Sequence, residues 1–279
     1  MSWGKLLAEK WTNMVGPSRP TISELAIYTK YAHILMKNKG KRLNLLVLGS
    51  TPEFRDWGYE ENMQVSVIDS SLDYHQTINR EIRHKSIISN NTEKFYNKRW
   101  EDMDFDDEFD IIIGDLAIGN IVPSELPNFI KKISLALKSD GLFLGKSFFI
   151  PDNYSPITPR ELVKKYNDSY SQYHPYSCLA FDLTMFCIDE NNLLDFNYQY
   201  NALKQTYVDG YLKKETFDYF KDVGWDNDMK FKFHVPSVDY YLNLINTYLY
   251  VYATEYGDDV YSPNFPLYII TKSKSELWR

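Results

Sequence analysis

The sequence predicts an α/β chain: a mostly parallel sheet with helices on both faces and an antiparallel pair of strands at one edge. Three observations carry this. From Asn44 to Ile150, short and continuously apolar runs alternate with amphipathic stretches, the pattern of strands buried on both faces. At Pro151 the alternation stops, and about eighty residues of helical character rich in Tyr and Phe follow. Two further strand-like runs, "TYLYVYATEY" and "FPLYIITKSK", then close the pattern, joined by the loop "GDDVYSPN" and not by a helix.

The elements can be justified in order. "WGKLLAEKWTNMV" places Trp3, Leu6, Leu7, Trp11, Met14 and Val15 at helical spacing. "GPSRP" breaks that helix, and "TISELAIYTKYAHILMKN" restarts it with Thr21 or Ser23 as N-cap. "NLLVLG", "QVSVIDSS", "FDIIIGDLAI" and "GLFLGKSFFI" read as strands. Before the last of them, Leu126, Phe129, Ile130, Ile133 and Leu137 line one helical face, with Ser124 placed to cap its start and Gly141 its end. "TPRELVKKYNDSYSQY", "SCLAFDLTMFCIDENNLLDFNYQYNALKQTYV" and "KKETFDYFKDVGW" read mostly as helices. The division is therefore an N-terminal helical lid over 1–42, a core over 43–150 and 236–279, and a helical insertion over 151–235.

Composition narrows the function. The 279 residues are 44% apolar and 25% charged, the balance of a soluble globular protein. Net charge is −7, and "KNKGKR" is the one dense basic run, so tracking a nucleic-acid backbone is disfavoured. Cys178 and Cys187 cannot form a disulfide framework or a four-cysteine zinc site, and no metal is expected. No signal peptide and no membrane-length apolar run stand out, so the expectation is a cytoplasmic protein away from membranes. The 23 Tyr, 16 Phe and 6 Trp suit a substrate pocket or a subunit interface, which leaves a homo-oligomer open; a lineage bias toward Tyr would give the same excess.

Open α/β sheets bind ligands beyond the carboxyl ends of their strands. The first strand ends at Gly49 and the second at Asp69, twenty residues on. That spacing suits an acid accepting hydrogen bonds from the two hydroxyls of an adenosine ribose. The first turn, "GSTPEF", has one glycine of the three that a dinucleotide loop requires.

"KRWEDMDFDDEFDIIIGD" repeats the rhythm "GDAEDLPF…FDVV", and "ALKSDGLFLGKSFF" that of "LKPGGxxxxxxxF". On these segments the chain resembles the class I S-adenosylmethionine-dependent methyltransferases, over roughly Asn44 to Phe149 and more weakly in the last two strands. "LGSTPE", "RWEDMD" and "GPSRP" look closest to a subgroup with "LGxTPE" at the first loop. The resemblance implies a Rossmann-like sheet of seven strands, with the helical insertion as a cap between strands five and six. It also implies S-adenosyl-L-methionine as cofactor, S-adenosyl-L-homocysteine as product and a small-molecule acceptor.

Carried over by position, the resemblance implies that Gly49 lets the backbone approach the methionine part of the cofactor, beside Ser50. Thr51 is the expected helix N-cap and Pro52 the first helical residue. Glu53 faces either the cofactor ammonium or only the helix dipole. Asp69 would hold the ribose, Ser70 would lie beside the adenine, and Trp100 would pack on the base. Asp115 and Leu116 would line the methyl-transfer channel. Arg99 departs from the family's acid there and cannot accept from the adenine amino group, so Glu101 or Asp102 would take over or the contact is absent. If the acceptor must lose a proton, Asp115, His174 and His234 are the candidate bases, each with a structural role as the competing explanation. Tyr170, Tyr173 and Tyr176 are the expected acceptor pocket within a cap whose aromatics also serve as its core. Trp11, Arg19 and Tyr28 are the lid residues to test first. A protein that holds the cofactor or its product without turnover, and a nicotinamide-dependent oxidoreductase, remain as competing functions.

Overall fold

The computed structural model describes residues 5–85, 90, 92–151, 157–225 and 232–273. Within them the strands are β1 (Asn44–Leu48), β2 (Gln64–Ile68), β3 (Lys94–Tyr96), β4 (Phe109–Asp115), β5 (Leu137–Lys146), β6 (Leu193–Asp195), β7 (Lys232–His234), β8 (Tyr250–Glu255) and β9 (Leu267–Thr271). Seven form one sheet in the order β3-β2-β1-β4-β5-β9-β8, and β6 and β7 form a separate antiparallel ribbon. Strands β1 to β5 pair in parallel, whereas β9 runs antiparallel to both β5 and β8. The Rossmann-like sheet with its antiparallel edge pair is thus as expected.

The helices are α1 (Lys5–Glu9), α2 (Ile22–Lys39), α3 (Pro52–Glu60), α4 (Leu72–Ile78), α5 (Leu126–Ala136), α6 (Pro159–Lys165), α7 (Phe181–Cys187), α8 (Phe196–Val208), α9 (Lys214–Asp222) and α10 (Val238–Ile245). Alternate strand residues feed two cores, because successive side chains leave a strand on opposite faces. Leu46, Leu48, Ile112 and Phe143 pack with Phe129 and Ile133 of α5 and Tyr241 of α10. Leu45, Val47, Ile111, Ile113 and Leu144 pack with Tyr28, Tyr31 and Leu35 of α2 and with Phe54 and Trp57 of α3. Helix α2 therefore covers the sheet and is not part of a lid. Thr21 caps it in a reciprocal arrangement with Glu24, and Gly40 closes it in the left-handed region.

Several boundaries differ from expectation. The first helix stops at Glu9 and continues as a tight turn over Trp11–Asn13; Trp3 lies outside the described residues. Helix α5 starts one residue after Glu125 without a side-chain cap, so Ser124 caps nothing. It ends at Ala136, and Leu137 and Gly141 already belong to β5, where Leu137 pairs with Phe109. The β-sheet partner overrides the local helical spacing there. The cap is not purely helical: β6 interrupts a run read mostly as helix. Two π-helical turns, Tyr166–Tyr170 and Tyr176–Ala180, also lie within it.

The cap joins the N-terminal segment in a common core. Leu7, Ala8, Trp11 and Met14 pack with Leu162, Tyr176, Leu179, Leu183, Phe220 and Trp225. The β6–β7 ribbon rests on the core at Gly119, where a Cβ would lie 2.0 Å from Phe233 Cζ. A glycine lets the ring sit directly on the backbone.

Candidate active site

A cavity opens beyond the carboxyl ends of β1, β2 and β4 and runs under the cap, with about 1240 Å³ of unfilled space, solvent at its mouth included. Ten of the residues singled out for cofactor binding line it: Gly49, Ser50, Thr51, Asp69, Ser70, Arg99, Trp100, Glu101, Asp115 and Leu116. They come from four separate loops, and the sheet order brings those loops together, since β1 lies between β2 and β4.

Gly49 leaves β1 with φ of +82°, and a Cβ there would come within 3.3 Å of the Trp100 indole. Glycine therefore both supplies the turn and keeps a slot open beside the ring. The Trp100 N–H is spent on the Ile68 carbonyl at 2.9 Å, which ties the indole to the end of β2. Thr51 occupies the N-cap position of α3 but makes no side-chain cap bond; Pro52 is the first helical residue, as expected.

Asp69 is oriented from two sides. Its Oδ1 accepts from the Ser71 N–H at 2.9 Å and its Oδ2 from the Ser50 hydroxyl at 3.0 Å. Ser50 in turn lies 3.0 Å from His75 Nδ1. Because the carboxylate can only accept, Ser50 donates to it, and His75 Nδ1 carries the proton donated to Ser50. Burial and then the Arg55 charge lower the His75 pKa to about 3, so this ring is neutral. Burial pushes the Asp69 carboxyl upward. The acid and the imidazole both contact the serine, whereas a nucleophilic relay needs the acid on the imidazole. The chain His75–Ser50–Asp69 orients a carboxylate and does not activate a hydroxyl.

Glu101 is buried at the cavity wall and pairs with the half-exposed Arg99 at 2.5 Å. Arg99 thus neutralises the neighbouring acid and does not replace it. Asp102 is exposed and does not line the cavity.

Deeper in, Asp115 at the end of β4 sits in register with Lys146 at the end of β5. Their ion-pair distance is 3.3 Å, without hydrogen-bond alignment, and both Asp115 oxygens lack a hydrogen-bond partner among the described residues. Lys146 is buried and also binds both oxygens of Glu24, at 2.9 and 3.1 Å. Burial raises the Asp115 pKa to about 7; Lys146 opposes the shift and Glu24 adds to it. Burial also raises Tyr28, whose hydroxyl has no partner among the described residues, with Glu24 and Asp115 contributing. Leu116 follows with φ of +49°, an unfavourable conformation for a branched side chain at a site rim.

Glu53 and Pro52 do not line the cavity. Glu53 Oε1 instead accepts from Arg19, at 2.6 and 2.8 Å, and from the Trp11 indole at 3.2 Å. Arg19 also binds the carbonyls of Trp11 and Met14. Trp11, Met14 and Ser18 thereby form one wall.

The far wall belongs to the cap, with Tyr176, Phe181, Phe196, Trp225, Phe233, Thr184 and Gln199, joined by Phe148 from the end of β5. Of the three expected pocket tyrosines only Tyr176 is there, its hydroxyl 2.8 Å from that of Ser18. Tyr170 packs on the outer side of the cap core and Tyr173 is exposed. His174 is not at the cavity either. Its Nδ1 accepts from the Tyr176 N–H at 3.3 Å, its ring meets Tyr219, and burial lowers its pKa. His234 is buried in β7 with its ring against Tyr240, outside the lining.

Sequence reasoning missed Lys146, Ser18, His75, Thr184 and Gln199. Lys146 carried a signal, a lone charge inside the apolar run "GLFLGKSFFI"; the others stand in ordinary polar surroundings.

No protein-family model matches the chain, and no curated protein matches its sequence. Solved structures do resemble it. One, from Rhodobacter sphaeroides and described provisionally as a Zn-dependent alcohol dehydrogenase, aligns over 96% of this chain and 99% of its own, at 14% identity and a TM-score of 0.57. Another is the 1,6-didemethyltoxoflavin-N1-methyltransferase of Burkholderia thailandensis with S-adenosylhomocysteine bound. It covers 97% of this chain and 88% of its own at 9% identity and a TM-score of 0.49. A third, an S-adenosylmethionine-dependent methyltransferase from Listeria monocytogenes, covers 87% and 96% at 15% identity and a TM-score of 0.46. The first likeness establishes a shared fold; the other two are too distant to carry an argument.

Proposed function

We propose that this chain is an S-adenosyl-L-methionine-dependent methyltransferase acting on a small molecule. One observation carries the reading: residues singled out at four strand ends line a single cavity whose other half is an aromatic cap. The residues fit the cofactor. Asp69 has one hydrogen bond on each oxygen and keeps lone pairs for the two ribose hydroxyls. Trp100 and the slot at Gly49 offer a flat face of the right kind for a purine. When bound, the cofactor supplies a methyl group already activated on a sulfonium.

The chain has three tasks in this reading. The core half orients the nucleoside through Asp69, Ser70, Trp100 and Glu101. The segment from Trp11 to Ser18 and the cap exclude water, as displacement at a sulfonium requires. Asp115 accepts a proton. An oxygen or nitrogen acceptor that gains the methyl group would have to release its proton. The acceptor's proton passes to the Asp115 carboxylate, which Lys146 keeps partly ionised at neutral pH.

Titration calorimetry with S-adenosylhomocysteine tests the reading, with Asp69→Ala as control. Saturable binding that this variant weakens at least about tenfold is expected, from two charge-assisted hydrogen bonds. Binding of NAD with none of S-adenosylhomocysteine would overturn it. Release of S-adenosylhomocysteine on incubating S-adenosyl-L-methionine with an aromatic acceptor would separate an enzyme from a protein that only holds the nucleoside.

A further inference from the structure

The cap half of the cavity carries a more specific record of its occupant. Among the described residues, every charged one that lines the cavity, Asp69, Arg99, Glu101 and Asp115, lies on the core half. The cap contributes rings and, among its polar groups, Thr184 and Gln199. Gln199 is fully buried. Its Nε2 donates to the Ala180 carbonyl at 2.6 Å and to Thr184 Oγ1 at 3.0 Å. Thr184 Oγ1 itself donates to the same carbonyl at 3.1 Å. That carbonyl can only accept, so the network fixes which end of the Gln199 amide faces it. Oε1 is left at the other end, buried and without a hydrogen-bond partner among the described residues. The arrangement is built on the π-helical turn Tyr176–Ala180, both ends of which line the cavity. Such turns are concentrated at functional sites.

A buried carbonyl oxygen with no donor is unfavourable, and a ligand that brings a donor into the cavity would complete it. We infer that the acceptor is an uncharged, planar aromatic molecule bearing an O–H or N–H that donates to Gln199 Oε1. The rings supply stacking and edge contacts for a flat ligand. Among the described residues this half offers a charged substituent no counter-charge, which opposes anionic and cationic acceptors. This inference rests on the proposed methyltransferase reading for the word acceptor, but the binding preference it names does not.

Three probes test it by calorimetry, with and without saturating S-adenosylhomocysteine: 2-naphthol, its methyl ether 2-methoxynaphthalene, and 3-hydroxy-2-naphthoate. In the wild type, 2-naphthol is expected to bind roughly tenfold more tightly than the ether, which lacks the donor. It should bind at least about tenfold more tightly than the carboxylate. In Gln199→Leu the preference for naphthol over ether should vanish. Naphthoate binding as tightly as naphthol, no saturable naphthol binding, or a preference that survives in the leucine variant would each overturn the inference. The wild-type comparisons decide it even if the variant does not fold. Loss of S-adenosylhomocysteine binding with these preferences intact would instead remove the methyltransferase reading and leave the binding site.

Discussion

Glu53, in the first turn of α3, is held by Arg19 from the segment that precedes α2, at 2.6 and 2.8 Å from the guanidinium nitrogens. The pair spans 34 residues and is partly buried. Trp11 shares the same carboxylate oxygen and lines the cavity. Through Oε1 the carboxylate thus fastens a cavity wall, while its Oε2 is buried without a hydrogen-bond partner among the described residues. Arg19→Met should free residues 11–19, at a cost of about 1–3 kcal/mol for the charge-assisted bonds. Hydrogen exchange should rise at Met14 to Ser18, and S-adenosylhomocysteine should bind more weakly. Unchanged exchange in this segment would contradict the latch.

Ser50 should matter to nucleoside binding although its hydroxyl is already paired within the protein. Ser50→Ala leaves Asp69 Oδ2 and His75 Nδ1 without their shared partner. Affinity for S-adenosylhomocysteine should fall about three- to tenfold, the worth of one ordinary hydrogen bond. Calorimetry on the variant measures this directly.

His75 predicts an acid-side instability. Its folded pKa of about 3 lies below the ordinary 6.5, so the folded state binds fewer protons between these values. Its contribution is present above pH 6.5 and is lost as pH falls toward 3. His75→Asn should flatten the difference in thermal midpoint between pH 7 and pH 4.5. An unaltered difference would mean that the ring is not buried as a neutral group.

Asp115 has the opposite sign. Its folded pKa is raised from 3.8 to about 7, so the folded state binds more protons in between, and stability declines as pH rises through that window. Asp115→Asn should therefore gain stability relative to wild type at pH 8 compared with pH 5. If Asp115 is the base, methyl transfer in the wild type should climb with pH through about 7, and the variant should lose that limb. Lys146→Met would leave Asp115 and Glu24 buried without their cation and should cost about 3–5 kcal/mol, read by urea denaturation.

Gly119→Val places a branched side chain where Phe233 already sits, 2.0 Å from the first added carbon. About 1–3 kcal/mol of destabilisation is expected from overpacking. Because Phe233 lines the cavity, 2-naphthol binding should weaken more than S-adenosylhomocysteine binding. Equal losses for both ligands would mean that the ribbon does not shape the cap half alone.

The legible part of this protein is the part that repeats locally. Apolar runs such as "NLLVLG" and "FDIIIGD" mark buried strands because both faces of each are covered, as Val47 and Leu48 or Ile111 and Ile112 demonstrate by entering different cores. Strand ends then place Gly49, Asp69 and Asp115 at one rim, since the chain returns parallel strands to the same end of the sheet. Leu137 was illegible for the converse reason: it satisfies a helical stripe, and pairing with Phe109 decides otherwise. Tyr170, Tyr173 and Tyr176 are alike in sequence and only packing separates the pocket residue from the others.

By itself, then, the sequence determined the sheet, the rim of the cavity and the acids that stand on it. Only the tertiary structure decided what those groups do. Glu24 and Lys146 lie 122 residues apart and meet beside Asp115 because α2 packs across the sheet. Glu53 turns to Arg19, and Gln199 loses the partner of its carbonyl oxygen, through contacts between segments distant in sequence or from different cap helices. Periodicity reports which face of an element is buried. It carries no information on which distant side chain waits there, because that depends on how whole elements pack.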